Sequence, residues 1–296
     1  MSPRQTAATV AAVHPVGAYY LLTLQGPGLG GDFRPGQFAA VAVGGEQTSM
    51  LLRRCFSIHR AEGDVMRLVV AEHGPGTRWL VRRVPGDVLD VIAPLGRPFP
   101  LPPYPAARAG SDRSECVLVG GGYGSAPLFA LSDLLRTRGY PLHIVLGAAT
   151  EDRLFGVDEA KQLADSVTVT TDDGSAGRQG WVSDVLPGVL AETAAGTVYA
   201  CGPMGMLRAV SEISAAAGAR AHCAVEESMA CGIGVCMTCV LPVVGGDGLT
   251  RMTRSCTDGP VFDGARVSWD AVGTVPPDCV GALGDAAPSV SGGAGG

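Results

Sequence analysis

The chain has no apolar run approaching the roughly 20 residues that a bilayer-spanning helix needs, so no membrane partner is expected. Its first residues, Met1-Ser2-Pro3-Arg4-Gln5, lack the charged-then-apolar build of an export signal. Positive charge is not in excess. Only 17% of residues are charged and the formal net charge is −6, which argues against nucleic acid as a partner. Internal repeats are absent too, which excludes a solenoid. Cysteine is plentiful, at nine residues. Without export these thiols are expected in a reducing cytosol, where clustered cysteines mean metal or redox chemistry rather than disulfides. At 296 residues, 46% of them hydrophobic, the chain is long enough for two or three domains with sizeable cores.

The first hundred residues carry short apolar runs at 19–24, 38–43, 50–58, 66–71 and 88–92. Turn signals separate them: Gly26-Pro27-Gly28, Pro35-Gly36, Glu62-Gly63-Asp64 and Pro85-Gly86-Asp87. Strands at this spacing with no long helical pattern predict a small antiparallel β-barrel over 1–103. Two features stand out in it. Arg53-Arg54-Cys55-Phe56-Ser57-Ile58 sets an arginine pair in an apolar strand, which is costly unless the charge meets a fixed anion. Gly74-Pro75-Gly76-Thr77 opens a short helical stretch, and free N–H groups there suit a phosphate. Each also has an ordinary reading, as a surface ion pair and as a plain turn.

The pattern changes near Cys116. Strand-like runs at 116–119, 142–146, 167–170 and 198–201 alternate with helical stretches at 126–137, 151–165 and 204–217. This predicts a doubly wound parallel-sheet domain over 104–220. The turn Gly120-Gly121-Gly122-Tyr123-Gly124-Ser125 follows the first strand, where dinucleotides bind, with Ser125 in place of a third glycine. Cys201-Gly202-Pro203-Met204 ends a later strand and is expected to face the same crevice; read alone, Cys201 is a buried strand cysteine. After the second strand, Glu151 and Asp152 are the carboxylates expected at a ribose 2′-hydroxyl, while Arg153 suits a 2′-phosphate; the balance favours NAD.

Beyond residue 220 the chain carries Cys231-Gly232-Ile233-Gly234-Val235-Cys236-Met237-Thr238-Cys239 and, after a gap, Cys256. This C-x4-C-x2-C run with a distant fourth cysteine is the plant-type ligand spacing of a [2Fe–2S] cluster. Each iron takes two thiolates. The x4 loop must wrap the cluster with its N–H groups aimed at sulfur, and Gly232 and Gly234 suit that path. Structural zinc prefers paired C-x2-C units, and only Cys236 and Cys239 form one. A cluster domain is expected over 221–279, with Cys279 unpaired, and the Gly-rich segment 280–296 is expected to be disordered.

Arg54-Cys55-Phe56-Ser57, the Gly120–Gly124 turn and the cysteine run occur in the order seen in the ferredoxin-NADP reductase superfamily. Longer stretches narrow the resemblance: Leu51 to Ile58, Val119 to Gly124, Thr171-Asp172-Asp173-Gly174-Ser175, Cys201 to Met204, Glu226 to Cys236, and Cys256-Thr257-Asp258-Gly259-Pro260-Val261-Phe262. Together they are similar to the electron-transfer subunits of the NAD-dependent, class 1B dihydroorotate dehydrogenases, over about residues 8–270. The resemblance implies an FAD barrel, a nicotinamide domain and a C-terminal cluster domain. It places Arg54 at the FAD pyrophosphate and Cys55, Phe56 and Ser57 beside the flavin. Val69, Val70 and Ala71 would give backbone contacts, and Gly76 and Thr77 phosphate contacts. Gly120, Gly121, Gly122, Gly124, Cys201, Gly202 and Pro203 would serve NAD, and Cys231, Cys236, Cys239 and Cys256 the cluster. This chain departs from the family at Cys55, where proline is usual, and at Arg97-Pro98, where Asn-Gly is usual.

The chemistry that follows is a relay. Nicotinamide exchanges a two-electron hydride, a cluster exchanges single electrons, and a flavin does both and so belongs between them. No stretch of the chain is built to bind and deprotonate a pyrimidine, so no catalytic residue is assigned. By resemblance a partner subunit carrying FMN oxidises dihydroorotate in pyrimidine biosynthesis, in a complex of two plus two chains. Electrons then pass from FMN through the cluster and FAD to NAD⁺. Two rivals stand beside this reading: a flavin/iron–sulfur reductase serving an oxygenase, a sulfide dehydrogenase or a ferredoxin, and a non-enzymatic zinc module joined to a nucleotide-binding domain.

Overall fold

The structure, a computed structural model, describes residues 3–45, 48–102 and 115–282. The expected domain boundary at 103/104 and residues 283–296 of the segment expected to be disordered lie outside the described residues, while at the start of that segment the Val280 and Ala282 N–H groups are held by the Thr250 and Cys279 carbonyls.

Six antiparallel strands close the first barrel: β1 Arg4–Val16, β2 Tyr19–Gln25, β3 Phe38–Val41, β4 Arg54–Glu62, β5 Val65–Ala71 and β6 Val88–Leu95, in the order β1-β2-β5-β4-β3-β6. Strand β1 escaped the sequence pattern. Ala8 and Val10 point inward, but their neighbours are alanine and threonine, so the period-2 contrast is faint. The run expected as a strand from residue 50 pairs only from Arg54 onward, leaving Leu51 and Leu52 exposed. A short helix, α1 (Pro75–Leu80), links β5 to β6.

The second sheet contains β7 Cys116–Gly121, β8 Leu142–Ala148, β9 Ser166–Thr171, β10 Arg178–Gln179, β11 Thr197–Cys201 and β12 Arg220–Ala224. After β12 come the antiparallel pair β13 Val240–Val244 and β14 Thr250–Arg254, then β15 Val261–Asp263. The order is β10-β9-β8-β7-β11-β12-β15, parallel except for β15, which runs antiparallel on β12. Succession reverses between β7 and β11. Ligands of such sheets bind at that switch point, beyond the carboxyl ends of the strands.

The helices are α2 Ala126–Thr137, α3 Val157–Leu163, α4 Val182–Thr193 and α5 Met204–Ala216. The single helix expected over 151–165 is broken: Glu151–Arg153 forms a 3-10 turn and α3 starts only at Val157. Between them Leu154 is extended and Phe155 is buried edge-on against Tyr19, His59 and Phe129. Burying that ring outweighs continuing the helix. Helix α4 falls outside the helical stretches expected from the sequence and carries Pro187 inside it. No helix among the described residues is long and apolar enough to cross a membrane.

Barrel and sheet share a core. Tyr19, Val69 and Phe99 of the first region pack with Leu118, Leu128, Phe129 and Tyr199 of the second. The buried His59 ring has its Nδ1 2.8 Å from the Ala126 carbonyl, and its burial lowers its pKa. Arg60 is ion-paired with both Asp133 of α2 and Glu159 of α3. These contacts fix the cleft between the two regions.

Candidate functional site

The cysteine run forms a loop against the barrel. Gly232 and Gly234 take φ of 72° and 86°, a left-handed path open to glycine. That path turns the N–H groups of Ile233 and Val235 toward Cys231 Sγ, at 3.5 and 3.4 Å. Arg254 donates to the Gly234 carbonyl at 2.8 Å and pins the loop to β14. The Cys256 N–H reaches Cys239 Sγ at 3.4 Å, and the Thr238 hydroxyl donates to Cys236 Sγ at 3.1 Å. As free thiols the ligand candidates differ. Hydrogen bonds from Thr238, and then from Cys231, pull Cys236 down to about 6, whereas burial pushes Cys256 up to about 12. Cys239 and Cys256 are thus in direct N–H···S contact, and the ligand candidates come from the loop before β13 and the turn after β14. A binuclear cluster requires four thiolates, two on each iron. Cys279 lies elsewhere, bridged to Thr250 at the opposite end of β14 from Cys256.

Beside this loop lies a cleft of about 260 Å³, lined on the barrel side by Arg54, Cys55, Phe56, Ser57, Val69, Ala71 and Thr77. The far wall includes Gly124, Cys201, Gly202, Glu226 and Pro260. The two arginines have parted. Arg53 turns toward β6 and pairs with Asp90, also donating to its carbonyl at 2.9 Å. Arg54 reaches only carbonyls, that of Leu52 at 2.7 Å being the nearer, and has no carboxylate partner among the described residues. Its guanidinium lies over the glycine turn, where a Cβ on Gly76 would fall 2.7 Å from Arg54 Nε. The charge and the turn, unremarkable singly, thus meet in one cradle. The Thr77 hydroxyl is already engaged with the N–H groups of His73 and Gly74, at 2.9 and 3.0 Å. Val70 points into the barrel core, so only its backbone is available to the cleft.

Cys55 touches both places. It lines the cleft, and its Sγ lies 3.3 Å from where a Cβ on Gly232 would stand. Burial, then the neighbouring Cys256, Cys231 and Cys239, pushes its thiol up to about 12. Arg97 donates its N–H to the Gly259 carbonyl at 2.6 Å, so the departure at 97–98 is absorbed by backbone pairing with the Asp258 to Phe262 block.

At the carboxyl ends of β7 and β11 opens a second cavity of about 650 Å³. Gly121, Gly122, Gly124, Gly202 and Pro203 line it, as expected; Gly120 and Cys201 do not. Gly120 is instead covered by Ser125, whose Cβ would lie 2.5 Å from a Cβ there. Ser125 is buried and holds the turn by donating to the Gly122 carbonyl at 2.9 Å. Glu151 and Asp152 are also outside the lining, a correction to the sequence reading. The wall carries Arg153, Asp172 and the exposed ring of Trp181. In the sequence Asp172 stands out only as part of the Thr171 to Ser175 stretch, and Trp181 carries no signal. Thr170 also lines this cavity, with its hydroxyl buried and without a partner among the described residues.

A family model for the iron–sulfur cluster binding domain of dihydroorotate dehydrogenase B matches residues 226–268, and one for the oxidoreductase NAD-binding domain matches residues 118–212. A dihydroorotate dehydrogenase B (NAD(+)) electron transfer subunit from Bacillus caldolyticus is 38% identical over 251 residues, covering 84% of this chain and 92% of the relative. Its Clostridium perfringens counterpart is 32% identical over 74% of this chain and 82% of its own. Among solved structures, a chain of the NADH-dependent reduced ferredoxin-NADP oxidoreductase, studied for flavin-based electron bifurcation, superposes with a TM-score of 0.75 at 28% identity. It covers 90% of this chain and 91% of that one. The FAD/NAD binding domain of a Vibrio cholerae nitric oxide dioxygenase shares the fold, with a TM-score of 0.61 at 23% identity over 74% of this chain and 97% of its own. The match to curated subunits over most of both chains, with the cysteine loop and the two clefts in place, puts this chain in the family of electron transfer subunits of dihydroorotate dehydrogenase B (NAD(+)).

Proposed function

We propose that the chain relays electrons between a [2Fe–2S] cluster on Cys231, Cys236, Cys239 and Cys256, an FAD in the barrel cleft, and NAD(H) in the pocket at the strand ends. The observation that carries this reading is contiguity. The dinucleotide pocket shares a wall with the barrel cleft, and that cleft shares Cys55 with the cluster loop. When bound, the flavin supplies the exchange between two-electron and one-electron carriers. The chain's residues do the rest. Arg54 offers an unpaired guanidinium to the FAD pyrophosphate, beside Gly76 and Thr77. Phe56 and Ser57 face the flavin, with the backbone of Val69, Val70 and Ala71. Gly121, Gly122, Gly124, Gly202 and Pro203 receive the dinucleotide. Gly120 shapes that turn from behind, and Cys201 backs the barrel cleft. The partner is an FMN-containing dihydroorotate dehydrogenase subunit, two copies of each chain assembling in the cytoplasm, with dihydroorotate as electron donor and NAD⁺ as acceptor.

The test is composition and colour. The purified chain is expected to be brown-yellow, with about one FAD and two irons per chain as one cluster; zinc without iron would end the reading in favour of a structural metal. Arg54→Ala is expected to weaken FAD retention by about 1.5–3 kcal/mol, the worth of a charge-assisted hydrogen bond. Flavin fluorescence on serial dilution measures it, and unchanged retention would make Arg54 structural. NADH is expected to reduce the flavin faster than NADPH does: Asp172 in the pocket wall repels a 2′-phosphate, against the attraction of Arg153 in the same wall. Two charges near 4 Å interact by about 1–4 kcal/mol at effective dielectrics between water and a protein surface. Asp172→Asn is therefore expected to narrow the preference by roughly fivefold or more, read as the ratio of kcat/KM for the two dinucleotides.

A further inference from the structure

Four residues line both cavities: Tyr123, Gly124, Gly202 and Glu226. The two glycines form the floor of the junction. A Cβ on Gly124 would lie 2.7 Å from Gly202 Cα, so the β7 turn and the β11 turn are in backbone contact there. Above that floor stand two side chains. The Tyr123 hydroxyl donates to Glu226 Oε1 at 2.6 Å, joining the glycine turn to the segment after β12. Tyr123 is steadied from the barrel side by Tyr19, whose ring meets it edge-on at 5.6 Å and whose hydroxyl donates to the Arg153 carbonyl at 2.8 Å. Residues 103 positions apart in sequence thus close a bridge over the boundary between two ligand spaces.

We propose that the Tyr123–Glu226 hydrogen bond is a latch across the passage between the dinucleotide pocket and the flavin cleft, which must part before a nicotinamide ring can reach the flavin. The inference rests on the assignment of NAD(H) and FAD to those two cavities. The physical case is one of placement and weakness. Hydride moves only between rings in near contact, and the junction is where the two cavities meet. A single hydrogen bond to a carboxylate, exposed to the clefts, is strong enough to favour the closed arrangement and weak enough to open thermally. Tyr123 is 39% exposed, so it is not locked into the core. Glu226 belongs to the segment leading to the cluster loop, so the latch joins the dinucleotide turn to the element that carries the cysteines. Tyr123 is a positioning residue in this scheme, acting on access and not on the reacting atoms.

The experiment compares the FAD-loaded wild-type chain with Tyr123→Phe and Glu226→Gln. Flavin content is checked first, since the latch does not hold the flavin. Anaerobic stopped-flow gives the limiting rate of flavin reduction by NADH and the half-saturating NADH concentration. Separately, NAD⁺ is added to the chemically reduced protein and the long-wavelength charge-transfer absorbance, which reports ring stacking without turnover, is recorded. Tyr123→Phe keeps the ring and loses the hydrogen bond. It is expected to raise the limiting rate at least fivefold and to increase the charge-transfer absorbance, with half-saturation moving less than twofold. Glu226→Gln leaves an amide oxygen that still accepts the phenolic hydrogen, and is expected to fall between wild type and Tyr123→Phe in both readouts. A Tyr123→Phe chain whose rate and charge-transfer absorbance stay within twofold of wild type, or decrease, overturns the latch alone. A wild-type flavin that NADH does not reduce overturns the cavity assignments and the latch with them.

Discussion

Alanine at any one of Cys231, Cys236, Cys239 or Cys256 is expected to abolish the cluster, whereas alanine at Cys55 or Cys279 is expected to leave it intact. Each substitution removes one of the four thiolates that a binuclear cluster needs, two on each iron, and the one further thiol beside them, that of Cys55, is held on β4 behind Gly232. Thr238, Ser255 and Thr257 are the nearest hydroxyls by sequence, and a hydroxyl is a poor substitute for a thiolate on iron. Cys55 is adjacent but separate: it belongs to β4, and Gly232 packs against it. Cys279 is placed at the wrong end of β14. The measurement is iron content and visible absorption of the anaerobically purified variants. The four ligand variants are expected to keep FAD and to remain reducible by NADH, because the flavin cleft and the dinucleotide pocket are built from other residues. Full iron in any of the four variants, or its loss in Cys55→Ala, would redraw the ligand set.

Local chemistry was readable in the sequence, and long-range juxtaposition was not. The cysteine run was legible because its ligands sit within nine residues and their spacing is imposed by the cluster. The positive φ at Gly232 and Gly234, with N–H groups turned to Cys231, follows from the same local constraint. The glycine turn after β7 was legible for similar reasons, though Gly120 proved to serve Ser125 rather than the cavity. The carboxylate in the dinucleotide wall was misplaced. Glu151 and Asp152 follow the second strand of the sheet, but burial of Phe155 tightens them into a turn beside the pocket, and Asp172 at the end of the next strand takes the wall. Nothing local distinguishes these carboxylates. The Tyr123–Glu226 bridge and the double exposure of Cys55, to the cleft and to the cluster loop, depend on how three regions pack together. Strand pairing sets that: β12 and β15 extend the nucleotide sheet, so the segment carrying the cysteines is delivered back against the barrel.

Placing an aspartate at Val235 or at Leu51 is expected to break the complex with the proposed FMN-containing subunit while leaving NADH oxidation by artificial acceptors unchanged. The cluster is useful only if electrons enter or leave through a surface, and the surface around it is apolar. Val235 is 76% exposed, Met237 52% and Ile233 48%, all within the cysteine loop. Leu51 and Leu52, 89% and 54% exposed, precede Cys55 by four and three residues, and Cys55 abuts that loop. Met229, by contrast, packs inward against Phe38, Ala40 and Leu95, so part of the loop is interior and part is a contact face. A chain of net charge −6 that leaves five large aliphatic side chains around one redox loop gains by covering them. Burying one such side chain is worth about 1.5–3 kcal/mol, and a charge in its place adds a desolvation cost. Each aspartate is therefore expected to weaken association by at least about tenfold, and Val235→Asp with Leu51→Asp together by more. Co-purification and analytical ultracentrifugation read the complex. Dihydroorotate-dependent formation of NADH, expected only when both subunits are present, reads its function and should fall in step with association. If co-expression of the wild-type chain with the FMN subunit gives neither a complex nor that activity, the pyrimidine assignment fails. If the complex forms and both aspartate variants bind as tightly as wild type, the interface lies elsewhere and the apolar rim of the cluster loop serves another electron donor.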